Sequence, residues 1–159
     1  MSIFLTVTSG VLIYVFGQLI LKLLIEPVHD FKKSISKISY DLIFHANVLA
    51  NPRPYEDEKM QFVCKLMREH SSILHANMYL IPCYKYTSNF FGLPKEECVI
   101  EATKGLIFLS NGHDGALANQ GILNTYKIQS IKKNLNIKTP KGDYLDPALE
   151  KDFVKAKEN

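Results

Sequence analysis

The chain has 159 residues, 47% of them hydrophobic, and a net charge of +3 from 19 basic and 16 acidic side chains. That length allows one domain of ordinary size. The odd count of three cysteines (Cys64, Cys83 and Cys98), with no CxxC spacing, argues against a disulfide framework and fits reduced thiols in a reducing compartment.

A mean hydropathy of −0.03 conceals a very uneven distribution. No charged residue occurs from Ser2 to Leu21, and the first is Lys22. A helix needs about 20 apolar residues to cross a hydrocarbon core roughly 30 Å thick. Residues 3–25 meet that length and predict a transmembrane helix. A cleaved signal peptide would need a basic start, a shorter apolar run and a small-x-small cleavage site. Nothing basic precedes this run, and Leu23-Leu-Ile-Glu-Pro27 is a poor cleavage site. Lys22, Lys32, Lys33 and Lys37 all follow the span, so the positive-inside bias predicts an outside N-terminus and a cytoplasmic body.

Glu26-Pro27 predicts a hinge or a helix restart. Val28, Phe31, Ile35, Ile38, Leu42 and Leu49 then recur at the spacing of a bundle or coiled-coil seam, interrupted at His45. This helix is expected to reach about Ala50 and stop at Asn51-Pro-Arg-Pro54. A second, from roughly Glu56 to Ile81, carries Phe62, Val63, Leu66, Met67, Ile73, Leu74, Leu80 and Ile81 as its stripe, and Pro82 ends it. Residues 82–94 read as an aromatic connector. A further helix begins near Pro94 and ends at Asn111-Gly112, and another follows through Ile122, Tyr126, Ile128, Ile131 and Leu135. A last short helix is expected after Asp146-Pro147, with Asp as cap and Pro in the first turn. The predicted fold is all-α: residues 1–26 a transmembrane helix, 27–111 a cytosolic helical bundle, and 112–159 a basic C-terminal segment for ligand binding or capping.

Catalytic patterns are scarce, and no cofactor or enzyme activity is expected. His70 and His75 are five apart, whereas two zinc ligands on one helical face sit at i, i+4. His113-Asp114 lies among glycines and reads as turn chemistry. The span carries more information. Gly10 and Gly17 share a face and permit close helix approach. Gln18 is costly against lipid, and Lys22 sits one turn below it. With Tyr14 these residues form a candidate pore or oligomer interface. The bland alternative is an interhelical hydrogen bond with Lys22 snorkelling to headgroups, and either requires a homo-oligomer. Finally, Tyr126, Lys127, Lys132, Lys133, Lys138 and Lys141 form an acid-free basic stretch suited to a single-stranded nucleic acid or other polyanion. A solvated helix face, or contact with anionic membrane lipid, explains the same lysines.

The motifs Val15-Phe-Gly-Gln-Leu-Ile-Leu-Lys22, Ile25-Glu-Pro-Val28, Asp41-Leu-Ile-Phe-His-Ala-Asn47 and Leu106-Ile-Phe-Leu-Ser-Asn111 resemble a group of small bacterial single-span membrane proteins. The chain also resembles the channel-like membrane effectors of anti-phage defence, of the Hailong type. That resemblance implies an inner-membrane homo-oligomer held closed by a short single-stranded DNA, which a partner nucleotidyltransferase makes. The contrasting expectation is a membrane-tethered adaptor whose bundle docks a partner protein.

Overall fold

The computed structural model describes residues 2–113, 119–140, 142 and 144–155. They fold as helices, and no strand occurs among them. The helices are α1 (Ser2–Ile20), α2 (Glu26–Phe44), α3 (Ala46–Ala50), α4 (Glu58–Tyr79), α5 (Tyr84–Phe91), α6 (Glu96–Ser110), α7 (Gln120–Asn134) and α8 (Pro147–Lys155). A π-helical turn, Leu21–Ile25, joins α1 to α2 without a break.

That turn replaces the expected hinge. Proline has no N–H to donate, and its ring crowds the carbonyl four residues earlier. Pro27 would meet the Leu23 carbonyl in a regular α-helix. Widening the preceding turn, so that the Glu26 N–H reaches the Leu21 carbonyl, relieves the conflict and keeps the helix continuous. The result is one helix over Ile3–Phe44, 42 residues long. At 1.5 Å per residue it extends about 63 Å, roughly twice the hydrocarbon thickness.

Packing begins at Val28. Val28, Phe31, Ile38, Leu42 and Leu49 are buried as the periodicity predicts, while Ile35 packs at the edge of the core. The helix does not reach Ala50 intact. His45, at φ −99° and ψ 11°, bends the chain, and α3 continues as a separate turn. Asp57 caps α4, its Oδ1 accepting the Met60 N–H at 3.0 Å. That hydrogen bond holds the Asp57 carboxyl below its usual range, with Arg53 3.3 Å away adding to the effect. α4 buries Met60, Val63, Met67, Leu74 and Met78 against α2 and α6, with Ile81 just beyond its end. Phe62, Ile73 and Leu80, expected on the same stripe, are exposed. Each is one residue from a buried one, and one residue is about 100° of helical rotation.

Residues 82–94 are not merely a connector, because they contain α5. It starts from Cys83 in a left-handed conformation (φ 49°) and ends at Gly92 (φ 64°), where glycine has no Cβ to clash. Ile128 and Ile131 of α7, with Leu135 just beyond its end, complete the core shared by α2, α4 and α6. Close approach depends on glycine. A Cβ on Gly105 would come within 2.7 Å of Ile131 Cγ1, and one on Gly121 would collide with the Ala50 carbonyl. Burying each large side chain contributes about 1.5–3 kcal/mol, so the helices beyond Val28 have ample apolar surface to hold together. The expected cap on α8 is present, with Asp146 Oδ1 accepting the Ala148 N–H at 2.9 Å.

Candidate functional site

Three groups of side chains bear on function, beginning with the apolar helix. Its most apolar window contains no buried residue and has a mean hydropathy of 2.0. It is therefore long and apolar enough to cross a membrane. Gly10, Tyr14, Gly17 and Gln18 fall within about 100° of arc on a regular helix, so they share a face. Tyr14 is exposed, Gln18 is half-buried, and nothing lies within 4 Å of where a Cβ would stand on Gly10 or Gly17. Lys22 is exposed within the π-turn. The face thus presents a shallow notch with one amide and one ammonium group towards the α2 end.

The basic stretch is arranged differently from its linear appearance. Taking Lys127 as origin, Lys132 and Lys133 lie about 140° and 240° around α7. The three therefore point to three sides. Lys127 sits 5.2 Å from the Phe108 ring centroid in a cation–π contact. Tyr126 is buried, its ring 6.2 Å from that of Phe153, so it offers no open face for stacking a base. Lys133 and Lys138 are exposed and Lys132 half-buried. Lys141 lies outside the described residues, as does Asp114.

A cavity of about 670 Å³ opens where the start of α4 meets the end of α6. Lys65, Arg68, Glu58, Gln61, Asn111 and His113 give it a polar wall, and Tyr55, Phe62 and Cys64 supply apolar surface. Arg68 donates to Asn111 Oδ1 at 3.0 Å and to Ser110 Oγ at 3.5 Å. Burial raises the Cys64 thiol above its ordinary pKa, with Arg68 partly opposing the effect, so the neutral thiol is favoured. Sequence patterning missed this site because its walls come from residues about 40 positions apart. Among the described residues no three His, Cys, Asp or Glu side chains converge closely enough to hold a metal ion.

Two buried polar contacts brace the body. Asp41 and His70 meet at 2.7 Å between α2 and α4. Asn124, fully buried, donates to the Leu49 carbonyl at 2.8 Å and the Gly112 carbonyl at 3.0 Å. It also accepts from Gln120 Nε2 at 2.8 Å.

No protein-family model, curated protein or solved structure matches this chain.

Proposed function

We propose that this protein is an oligomeric, channel-like membrane effector whose span is controlled by an anionic ligand on its helical body. The observation that carries this reading is the single helix from Ile3 to Phe44. It makes the apolar segment and the first core helix one rigid element, so a change in how the body packs has to move the span. Gln18 and Lys22 line the end of the pore nearest the body, and Gly10 and Gly17 let neighbouring copies approach. A ligand shifts the closed-to-open equilibrium only through different affinities for the two states. Two places offer it cations: the lysines of α7 and the cavity with Lys65 and Arg68. By the resemblance given above, the setting is anti-phage defence at the bacterial inner membrane, with a single-stranded oligonucleotide as the closing ligand.

Expression in bacteria without the ligand is expected to collapse the membrane potential and arrest growth. Gln18→Leu should restore growth at an equal protein level. Cells that stay polarised while making the native protein would refute the channel. Lys132→Glu with Lys133→Glu should weaken oligonucleotide binding and flatten its dependence on salt. Unchanged binding in that variant, alongside loss in Arg68→Glu, would move the ligand to the cavity.

One observation favours a second reading, a membrane-tethered adaptor. Tyr40, Phe44, His45 and Phe62 form a ladder of rings spaced 4.9–5.7 Å apart along α2 and α4, and its three aromatic rings are more than half exposed. An adaptor would tolerate Gln18→Leu and lose function with Phe44→Ser.

A further inference from the structure

The end of the body nearest the apolar helix carries exposed aromatic surface of its own. α4 runs antiparallel to α2, so its last residues lie beside the first residues of α2. Asn77 Nδ2 donates to the Asp30 carbonyl at 3.5 Å, and Tyr84, at the start of α5, meets Phe31 edge-on at 5.9 Å. Phe31 is six residues past Ile25, about 9 Å along the helix. α5 is therefore held within two helical turns of the end of the apolar run.

The outer side of α5 is unusually aromatic for a helix that faces water. Its inner side holds Tyr84, Thr87 and Ser88, with Phe91 half-buried against the core, and Thr87 and Ser88 spend their hydroxyls on the Pro82 and Lys85 carbonyls. Tyr84 donates to the Pro94 carbonyl at 2.8 Å, and burial raises its phenol above the ordinary tyrosine range. Alongside Lys85 and Asn89, its outer side holds Tyr86 and Phe90, 76% and 83% exposed, and Tyr79 and Leu80 are exposed just before it. Pro82, Cys83 and Gly92 fix the rotation of the helix, so this is not a loose segment that could turn its aromatics inward.

We propose that α5, with Tyr79 and Leu80, is an interfacial anchor. It lies in the headgroup region of the leaflet facing the body, with Tyr86 and Phe90 reaching the acyl boundary. Aromatic side chains favour that depth, and a short helix with one apolar face lies in the membrane plane there. The proposal rests on the apolar helix crossing the same bilayer, since that crossing sets α5 at the surface. Lipid is the occupant because Tyr84 of α5 is held against Phe31, within two helical turns of the end of the span. Charges of both signs lie nearby in sequence, Lys22, Lys32, Lys33, Lys37, Lys85 and Lys95 with Glu26, Asp30, Glu96 and Glu97, a small positive excess. The aromatic surface is expected to dock on neutral lipid without help from that excess.

The chain contains no tryptophan, so single Trp reporters are unambiguous. Full-length Phe90→Trp, Phe16→Trp and Phe62→Trp are each reconstituted into phosphatidylcholine vesicles with brominated acyl chains. Phe62 lies at the far end of α4, about 25 Å from Tyr79. Phe90→Trp is expected to shift its emission to the blue and to be quenched at least about twofold, as membrane insertion requires. Phe16→Trp should be quenched as well, and Phe62→Trp should not. Tyr86→Trp provides a second reporter on the same face. Quenching at 16 without quenching at 86 or 90 would overturn the anchor while leaving the span intact. A blue shift at 90 without quenching would overturn it in favour of protein contact. No quenching at 16 would overturn the membrane crossing itself.

Discussion

Replacing Asn124 with alanine is expected to destabilise the body by on the order of 3 kcal/mol or more, among the largest effects of any single substitution here. The Asn124 side chain sits where three elements meet, and no water reaches it. Its amide nitrogen donates to the carbonyl of Leu49 in α3 and to that of Gly112 after α6, and its oxygen accepts a hydrogen bond from Gln120 Nε2. Truncation leaves two buried acceptors and one buried donor without partners, each costing about 1–3 kcal/mol. Gln120 has no slack to compensate, because its own Oε1 is already buried without a partner among the described residues. Asn124→Asp should be worse than alanine. It keeps the shape but aims a second acceptor at two carbonyls. Gly112→Ala should approach the same loss by another route, since its Cβ would stand 2.5 Å from Asn124 Oδ1. Thermal unfolding of the detergent-solubilised protein, followed by circular dichroism, measures all three. An Asn124→Ala variant that melts with the native protein would mean that these carbonyls find water instead.

Why such a residue is invisible in the sequence is instructive. Helix positions were legible wherever apolar residues recur at three and four, as from Val28 to Leu42, because burial of one stripe is a local pattern. The cap Asp146 was readable, since capping acts over three residues, whereas Asp57 was not, because the expected helix start was Glu56. α5 was hidden because it is short and its aromatics fall on both sides, Tyr84 and Phe91 inward and Tyr86 and Phe90 outward, so no single apolar stripe marks it. Asn124, Gln120, Asp41 and His70 carry no local signature at all. Their partners lie up to 75 positions away, and only the packed chain pairs them. The lysines of α7 show the converse relation. Adjacent in sequence, they look like one patch, yet the 3.6-residue period sends them apart. On the span the same period gathers Gly10, Gly17 and Gln18, so that face could be read directly.

Pro27→Ala is expected to rotate the span by about 100° relative to the body, the angle that one residue subtends in an α-helix. A single π-turn holds one more residue than the α-turn it replaces, without turning the flanking segments. Here Pro27 stabilises it by forbidding the regular bond to the Leu23 carbonyl. Alanine restores that donor, and the turn gains an ordinary α-helical hydrogen bond by closing. The extra residue then has to appear as rotation, with about 1.5 Å of added length. Under the proposed assembly, the face with Gly10, Gly17 and Gln18 would leave its neighbours. The readout is disulfide capture between copies through Gly10→Cys, in a background lacking Cys64, Cys83 and Cys98. Capture should be efficient with native Pro27 and fall sharply in Pro27→Ala. Deleting Leu23 in the Pro27→Ala chain removes the surplus residue and should return Gly10 to its register, recovering capture. A structural defect caused merely by losing proline would not be repaired by a further deletion. If Pro27→Ala captures as well as the native sequence, span and body are not locked in rotation, and the coupling that the channel needs would have to come from elsewhere.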